Sequence, residues 1–170
     1  MDILLSYGPH ALFAFAFIIL VTLTIIDFRT WILPNWLNLL LAITGFAFHL
    51  SISFRFAPPY DYFLGAIVGG GILYVIRFFG NRHYKQDTLG LGDVKLLAAS
   101  GLWLGVEGVV MAMTIGAFAG LLHGIAVALI RAFQEKAKPN LHRLMIPAGP
   151  GFCIGIFGMM CWQYCGFLSQ

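Results

Sequence analysis

What most limits this chain is its succession of long apolar runs, separated by loops of a few charged, proline or glycine residues. The first, ALFAFAFIILVTLTII at 11–26, contains no charged side chain, and similar runs follow to the C-terminus. A bilayer core of ~30 Å takes about 20 apolar residues per helix, so runs of this kind read as membrane helices. Charge, Pro and Gly bound six of them, at about 9–27, 35–54, 60–79, 93–105, 107–131 and 147–168. Residues 94–131 would make one very long helix, but Gly101, Gly105, Glu107 and Gly108 favour a turn within it. With 60% hydrophobic and only 10% charged residues in 170 positions, no room remains for a soluble domain. The expected fold is all-α, a polytopic bundle of about six transmembrane helices forming one domain over 1–170.

The opening residues carry no Lys or Arg and no convincing small-residue cleavage site, so the first run reads as a retained helix rather than a secretory signal. Cys153, Cys161 and Cys165 all fall in the last run without a CxxC pair. They suggest neither a zinc site nor a disulfide framework, and no metal or cofactor is expected. Small residues four apart, Gly65/Gly69, Gly116/Gly120/Gly124 and Gly151/Gly155, suit close helix packing.

The net charge of +3 takes its meaning from where the charges sit. With six spans, the loops at 28–34, 80–92 and 132–146 share one side. Arg29, Arg77, Arg82, Lys85, Lys95, Arg131, Lys136, Lys138 and Arg143 fall there, and only Arg55 on the other. The positive-inside rule makes the first side cytoplasmic and puts both termini outside. Topology and attraction to anionic lipid account for the basic charge, and a nucleic-acid partner is not expected.

That topology brings two carboxylates to one face. Asp27 ends the first helix in TIIDFRTWILPNW, and Asp93 opens the fourth in LGLGDVKLL. An ionisable group at membrane depth is costly and marks function by default. Each has a plainer explanation: Asp93 as a helix start matched to the dipole, Asp27 as a charge neutralised by Arg29. Gly90 and Gly92 before Asp93 allow unusual backbone angles and close approach by another chain. Two adjacent Asp side chains do not easily both ionise. Sharing one proton, they can take a proton from water while donating to a peptide carbonyl.

The residues GLGD followed by VKLLAASGLWLG resemble the GxGD signature of the type IV prepilin peptidases, which are membrane aspartic proteases. IIDFRTWILPNWLNL resembles the segment carrying their first Asp, and IPAGPGFCIG, at 146–155, is similar to their Ile-Pro-x-Gly-Pro segment. The resemblance runs in order over about 27–168. It implies that Asp27 and Asp93 form the catalytic dyad, with Gly90 and Gly92 beside the substrate and Pro34 and Asn35 shaping the turn into the second helix. It also implies cleavage of prepilin or pseudopilin leaders at the cytoplasmic face of the bacterial inner membrane, the substrate having a basic leader and a hydrophobic helix. Long family members carry an added N-terminal region with a cysteine cluster and methylate the new amino terminus. This chain resembles the short form serving tight-adherence (Flp-type) pili, so methylation is expected to be absent.

His49 and His123 lie in apolar runs and read as hydrogen-bonded packing residues, Asp87 as a solvated loop charge, and Glu107 as remote from the dyad. The alternatives are a small proton-coupled transporter, with the two aspartates as carrier sites, and a non-enzymatic subunit of a secretion machine. Transporters more often place such groups at the midplane between repeats, and no internal repeat is evident here.

Overall fold

The computed structural model describes residues 2–85, 87, 89–135 and 148–168. They form five helices and no strand: α1 (Asp2–Thr30), α2 (Asn35–Ser51), α3 (Pro59–Tyr84), α4 (Leu91–Glu135) and α5 (Gly149–Leu168). Local chemistry sets several of the ends. Pro34, at φ −62° and ψ 130°, stands at the N-cap of α2, and Pro59 opens α3. Proline suits these positions because its φ is already near −65° and the missing N–H has no helical partner there. α1 stops where Trp31 turns left-handed at φ 59°. α3 stops where Lys85 does so at φ 54°, its N–H bonded to the Asn81 carbonyl at 2.9 Å.

The turn expected within 101–108 falls at Gly105, whose φ of 70° and ψ of −172° are accessible to glycine alone. α4 is therefore two arms, 91–104 and 106–135, and they fold back on each other. A Cβ built on Gly69 of α3 would meet both the Leu97 carbonyl oxygen and Val109 Cγ2 at 2.7 Å. On a straight helix those two residues would stand about 18 Å apart. Among the described residues three helices are long and apolar enough to cross a membrane, Tyr7–Thr30, Pro59–Tyr84 and Leu91–Ile130, the last of them comprising both arms of α4; that count does not confirm the six spans expected from the sequence. α2, at 17 residues, is shorter than the ~20 that a bilayer core asks. α1 and α3 extend beyond their expected limits at both ends.

α4 is the hub, packing on α2, α3 and α5, while α1 packs on α2 and α5. Apolar burial alone does not hold helices together in lipid, so close backbone approach and interhelical hydrogen bonds carry the association. A Cβ on Gly65 would come within 2.6 Å of the Gly105 carbonyl carbon, and one on Gly151 within 2.6 Å of the Gly116 oxygen. Gly120, expected in the same stripe, has open space where its Cβ would be. At the Gly105 end of the bundle, His49 Nε2 lies 2.8 Å from the Trp103 carbonyl, and the Tyr164 hydroxyl donates to that same carbonyl. Trp103 Nε1 donates to the Leu41 carbonyl at 2.8 Å. These bonds tie α2, α4 and α5 together at the end opposite Asp27 and Asp93.

Candidate active site

Asp27 sits in the last turn of α1 and Asp93 in the first turn of α4, and both are buried, at 5% and 6% exposure. They open into one cavity of about 270 Å³, walled by Trp31, Ile32 and Leu33 after α1, Asn35 at the start of α2, and Gly90, Leu91, Gly92 and Lys95 around Asp93. The two carboxylates are near enough for the charge of one to act on the other. Asp27 Oδ2 and Asp93 Oδ1 are both buried without a protein hydrogen-bond partner. Leaving such an oxygen unpaired costs about 1–3 kcal/mol, and buried orphans of this kind are rare enough to ask for a reason.

Asp93 is the third residue of its helix. That is the capping-box position, from which an acidic side chain reaches back to the N-cap backbone. The Gly90 backbone N–H bonds to the Asp93 carboxylate, and a Cβ on Gly90 would stand 3.0 Å from Asp93 Oδ2. The plainer reading of Asp93 as a helix-start residue is thus half of the truth: one oxygen caps and the other faces the cavity. Neither Gly90 nor Gly92 has a positive φ, so their role is clearance rather than the unusual backbone angles expected from the sequence. At Gly92 the neighbour is Leu33, whose Cβ would lie 2.7 Å from an added Cβ.

Gly149, at the start of α5, completes the site. A Cβ there would come within 2.5 Å of Asp27 Oδ2 and 3.4 Å of Leu33 Cδ1. Leu33, itself buried, is thereby wedged between α4 and α5 beside Asp27. Neither residue was singled out from sequence, although Gly149 lies in the quoted IPAGPGFCIG segment, whose Gly-Pro pair signals a tight backbone. Ile146 and Pro147 of that segment lie outside the described residues.

Of the expected site residues, Asp27, Asp93, Gly90, Gly92 and Asn35 line the cavity. Pro34 acts one step away as the N-cap of α2. Sequence reasoning missed Lys95, whose Nζ donates to Asn35 Oδ1 at 2.8 Å on the cavity wall. It also missed Asn38, buried with Nδ2 3.5 Å from the Gly92 carbonyl. His49 is a hydrogen-bonded packing residue as expected, at the opposite end. His123 is exposed and meets Phe28 edge-on, and Glu107 is exposed near the Gly105 turn. Asp87 is exposed but not merely solvated: its Oδ1 pairs with Arg77 at 2.6 Å. Among the described residues no group of three or more His, Cys, Asp or Glu is placed to hold a metal ion.

A family model described as the type IV leader peptidase family matches residues 14–125, a stretch that includes Asp27 and Asp93. A prepilin leader peptidase/N-methyltransferase of Pectobacterium carotovorum subsp. carotovorum is 34% identical over 142 residues, which is 83% of this chain and 48% of that protein. One from Aeromonas salmonicida (strain A449) is 31% identical over 144 residues, 85% of this chain and 46% of its own length. Another, from Escherichia coli (strain K12), is 34% identical over 121 residues, 71% and 52% respectively. The chain thus spans about half the length of the curated relatives it matches. No solved structure matches. By the extent of the family match and the identity to these relatives, the chain belongs to the type IV leader peptidase family.

Proposed function

We propose that this chain is an aspartic endopeptidase that removes the leader peptide of prepilins at the cytoplasmic face of the membrane, with Asp27 and Asp93 as its catalytic pair. The observation that carries the reading is the pair of buried carboxylates, each with an unpartnered oxygen, in one cavity. Like charges that close favour a state with one proton between them. The ionised carboxylate accepts a proton from water as its oxygen attacks the scissile carbonyl carbon. The protonated one donates to the carbonyl oxygen. When the tetrahedral intermediate collapses, the C–N bond breaks, the amine nitrogen takes up a proton, and the pair returns to its singly protonated state.

The cytoplasmic placement is supported by charge: of the ten Lys and Arg residues only Arg55 belongs to the opposite side. Lys136, Lys138 and Arg143, which contribute to that count, lie outside the described residues. The substrate reading is supported by the names of the relatives and by the lip of the cavity. There Trp31 and Ile32 are 53% and 67% exposed, an apolar surface suited to a hydrophobic helix. A Flp-type prepilin, cut without subsequent methylation, is the substrate we infer from the short-form resemblance. The transporter alternative finds no support in the site, since both acids lie at one end of their helices rather than near the middle. Incubating the purified protein with detergent-solubilised prepilin tests the reading. A shortened product is expected, and none from a protein shown to be folded would overturn it.

A further inference from the structure

The segment that leads into Asp93 is held by a side chain of α3. Arg77, whose side chain is 16% exposed, donates through Nη1 to the Leu89 carbonyl and through Nη2 to Asp87 Oδ1 at 2.6 Å. Asn81, one turn further along α3 and so on the same face, donates to the same Asp87 oxygen at 2.9 Å. Leu89 adjoins Gly90, and the Gly90 backbone is what the Asp93 carboxylate caps. A continuous set of bonds therefore runs from α3 through the guanidinium, the Leu89 carbonyl and the Gly90 amide to Asp93.

A glycine-flanked segment has more conformational freedom to lose than any other, so one anchor on it matters. Bonds from a charged donor are about twice as strong as neutral ones. Asp87, in contrast, is 78% exposed, and an exposed ion pair contributes little by itself. The consequential bond is the one to Leu89, and Asp87 with Asn81 keeps the guanidinium aimed at it.

We infer that Arg77 is a positioning residue for the Asp93 carboxylate, acting through the Leu89 carbonyl, with Asp87 and Asn81 holding the guanidinium in place. The inference rests on Asp93 being catalytic, as proposed above. It also changes the expectation for Asp87, from a solvated charge without consequence to a supporting one.

The test compares wild type, Arg77→Gln, Arg77→Lys and Asp87→Ala in steady-state cleavage of a solubilised prepilin, together with amide hydrogen exchange and thermal unfolding of each. Arg77→Gln should lower kcat by about tenfold, the effect of one hydrogen bond from a charged donor, with KM within about twofold. Its amide exchange should rise at 89–92 while the rest of the bundle keeps its protection and the unfolding midpoint hardly moves. Asp87→Ala should cost about threefold, the scale of an exposed pair, and Arg77→Lys should recover part of the Gln loss by supplying one donor. Wild-type kcat in Arg77→Gln, or a loss of protection spread over the whole bundle, would overturn the inference. If the wild-type protein did not cut prepilin, the peptidase reading would fail. The exchange measurement would still decide the anchoring: a rise confined to 89–92 supports it, and unchanged exchange refutes it.

Discussion

Gly149→Ala separates a disturbed site from a disturbed fold. The added Cβ would lie 2.5 Å from Asp27 Oδ2 and 3.0 Å from its carboxyl carbon, against an ordinary contact of about 3.5 Å. The shortfall is about 1 Å. Asp27 Oδ2 is the tip of a side chain, so the carboxylate swings away before any helix moves. A misplacement of about 1 Å at a reacting group costs on the order of 10²-fold, and we expect kcat to fall between tenfold and a hundredfold. Stability should not follow, because Ala is a better helix former than Gly by up to about 1 kcal/mol. The matched control is Gly120→Ala, where a Cβ would meet nothing within 4 Å and activity should be unchanged. Single-turnover cleavage of a saturating prepilin, normalised to folded protein by size exclusion and thermal unfolding, reads out both variants. Should Gly149→Ala keep kcat within twofold of wild type, Asp27 would not need its present position, and its assignment to the catalytic pair would fall.

Asp27→Asn and Asp93→Asn should each lower cleavage by about 10²–10⁴-fold, the range of general acid–base catalysis, and look alike because the pair works as one unit. At equal membrane abundance, a tenth of wild-type turnover in either one would end the two-aspartate mechanism. Single cysteines introduced at 132–142 should be shielded from impermeant thiol reagents in intact cells and those at 56–59 should label, the reverse pattern refuting the topology. The mature pilin should leave the protein with a free amino terminus. This follows from the short-form reading proposed above, and a methyl group found on the product by mass spectrometry would contradict it.

The two acids were legible in the sequence because membrane-depth charge is rare and the basic residues give an orientation. Both statements need only composition and order along the chain. The Gly105 turn was legible for a similar reason, since glycines crowded at 101–108 in a run too long for one span. What was not legible depends on which helices become neighbours. Gly149 faces Asp27 across 122 positions of sequence, and Lys95 bonds to Asn35 across 60. Nothing in either residue's local pattern announces its partner. Asp87 read as a solvated charge because it is one by exposure, and only the packing of α3 beside the loop brings Arg77 to it. Helix ends were less legible, because helix length was inferred from apolar runs. Such runs do not reveal that α2 stops at Ser51, where the chain turns through Ser53 and Phe54 at positive φ.

The Gly105 break limits how deep the chemistry lies. From Asp93 to Gly105 the first arm rises about 18 Å at 1.5 Å per residue, some 12 Å less than a hydrocarbon core of about 30 Å. Asp93 and Gly105 therefore cannot both be level with headgroups unless the bilayer thins around the protein by that difference. In an unthinned bilayer with Gly105 at one surface, the carboxylates occupy a well whose floor is below the phosphates. With Asp27 and Asp93 as the catalytic pair we propose, water is drawn down to the scissile bond through the 270 Å³ cavity, and the substrate bends in after it. Bilayer thickness thus becomes a variable of the reaction: a lipid with shorter chains raises the floor of the well toward bulk water, and one with longer chains sinks it.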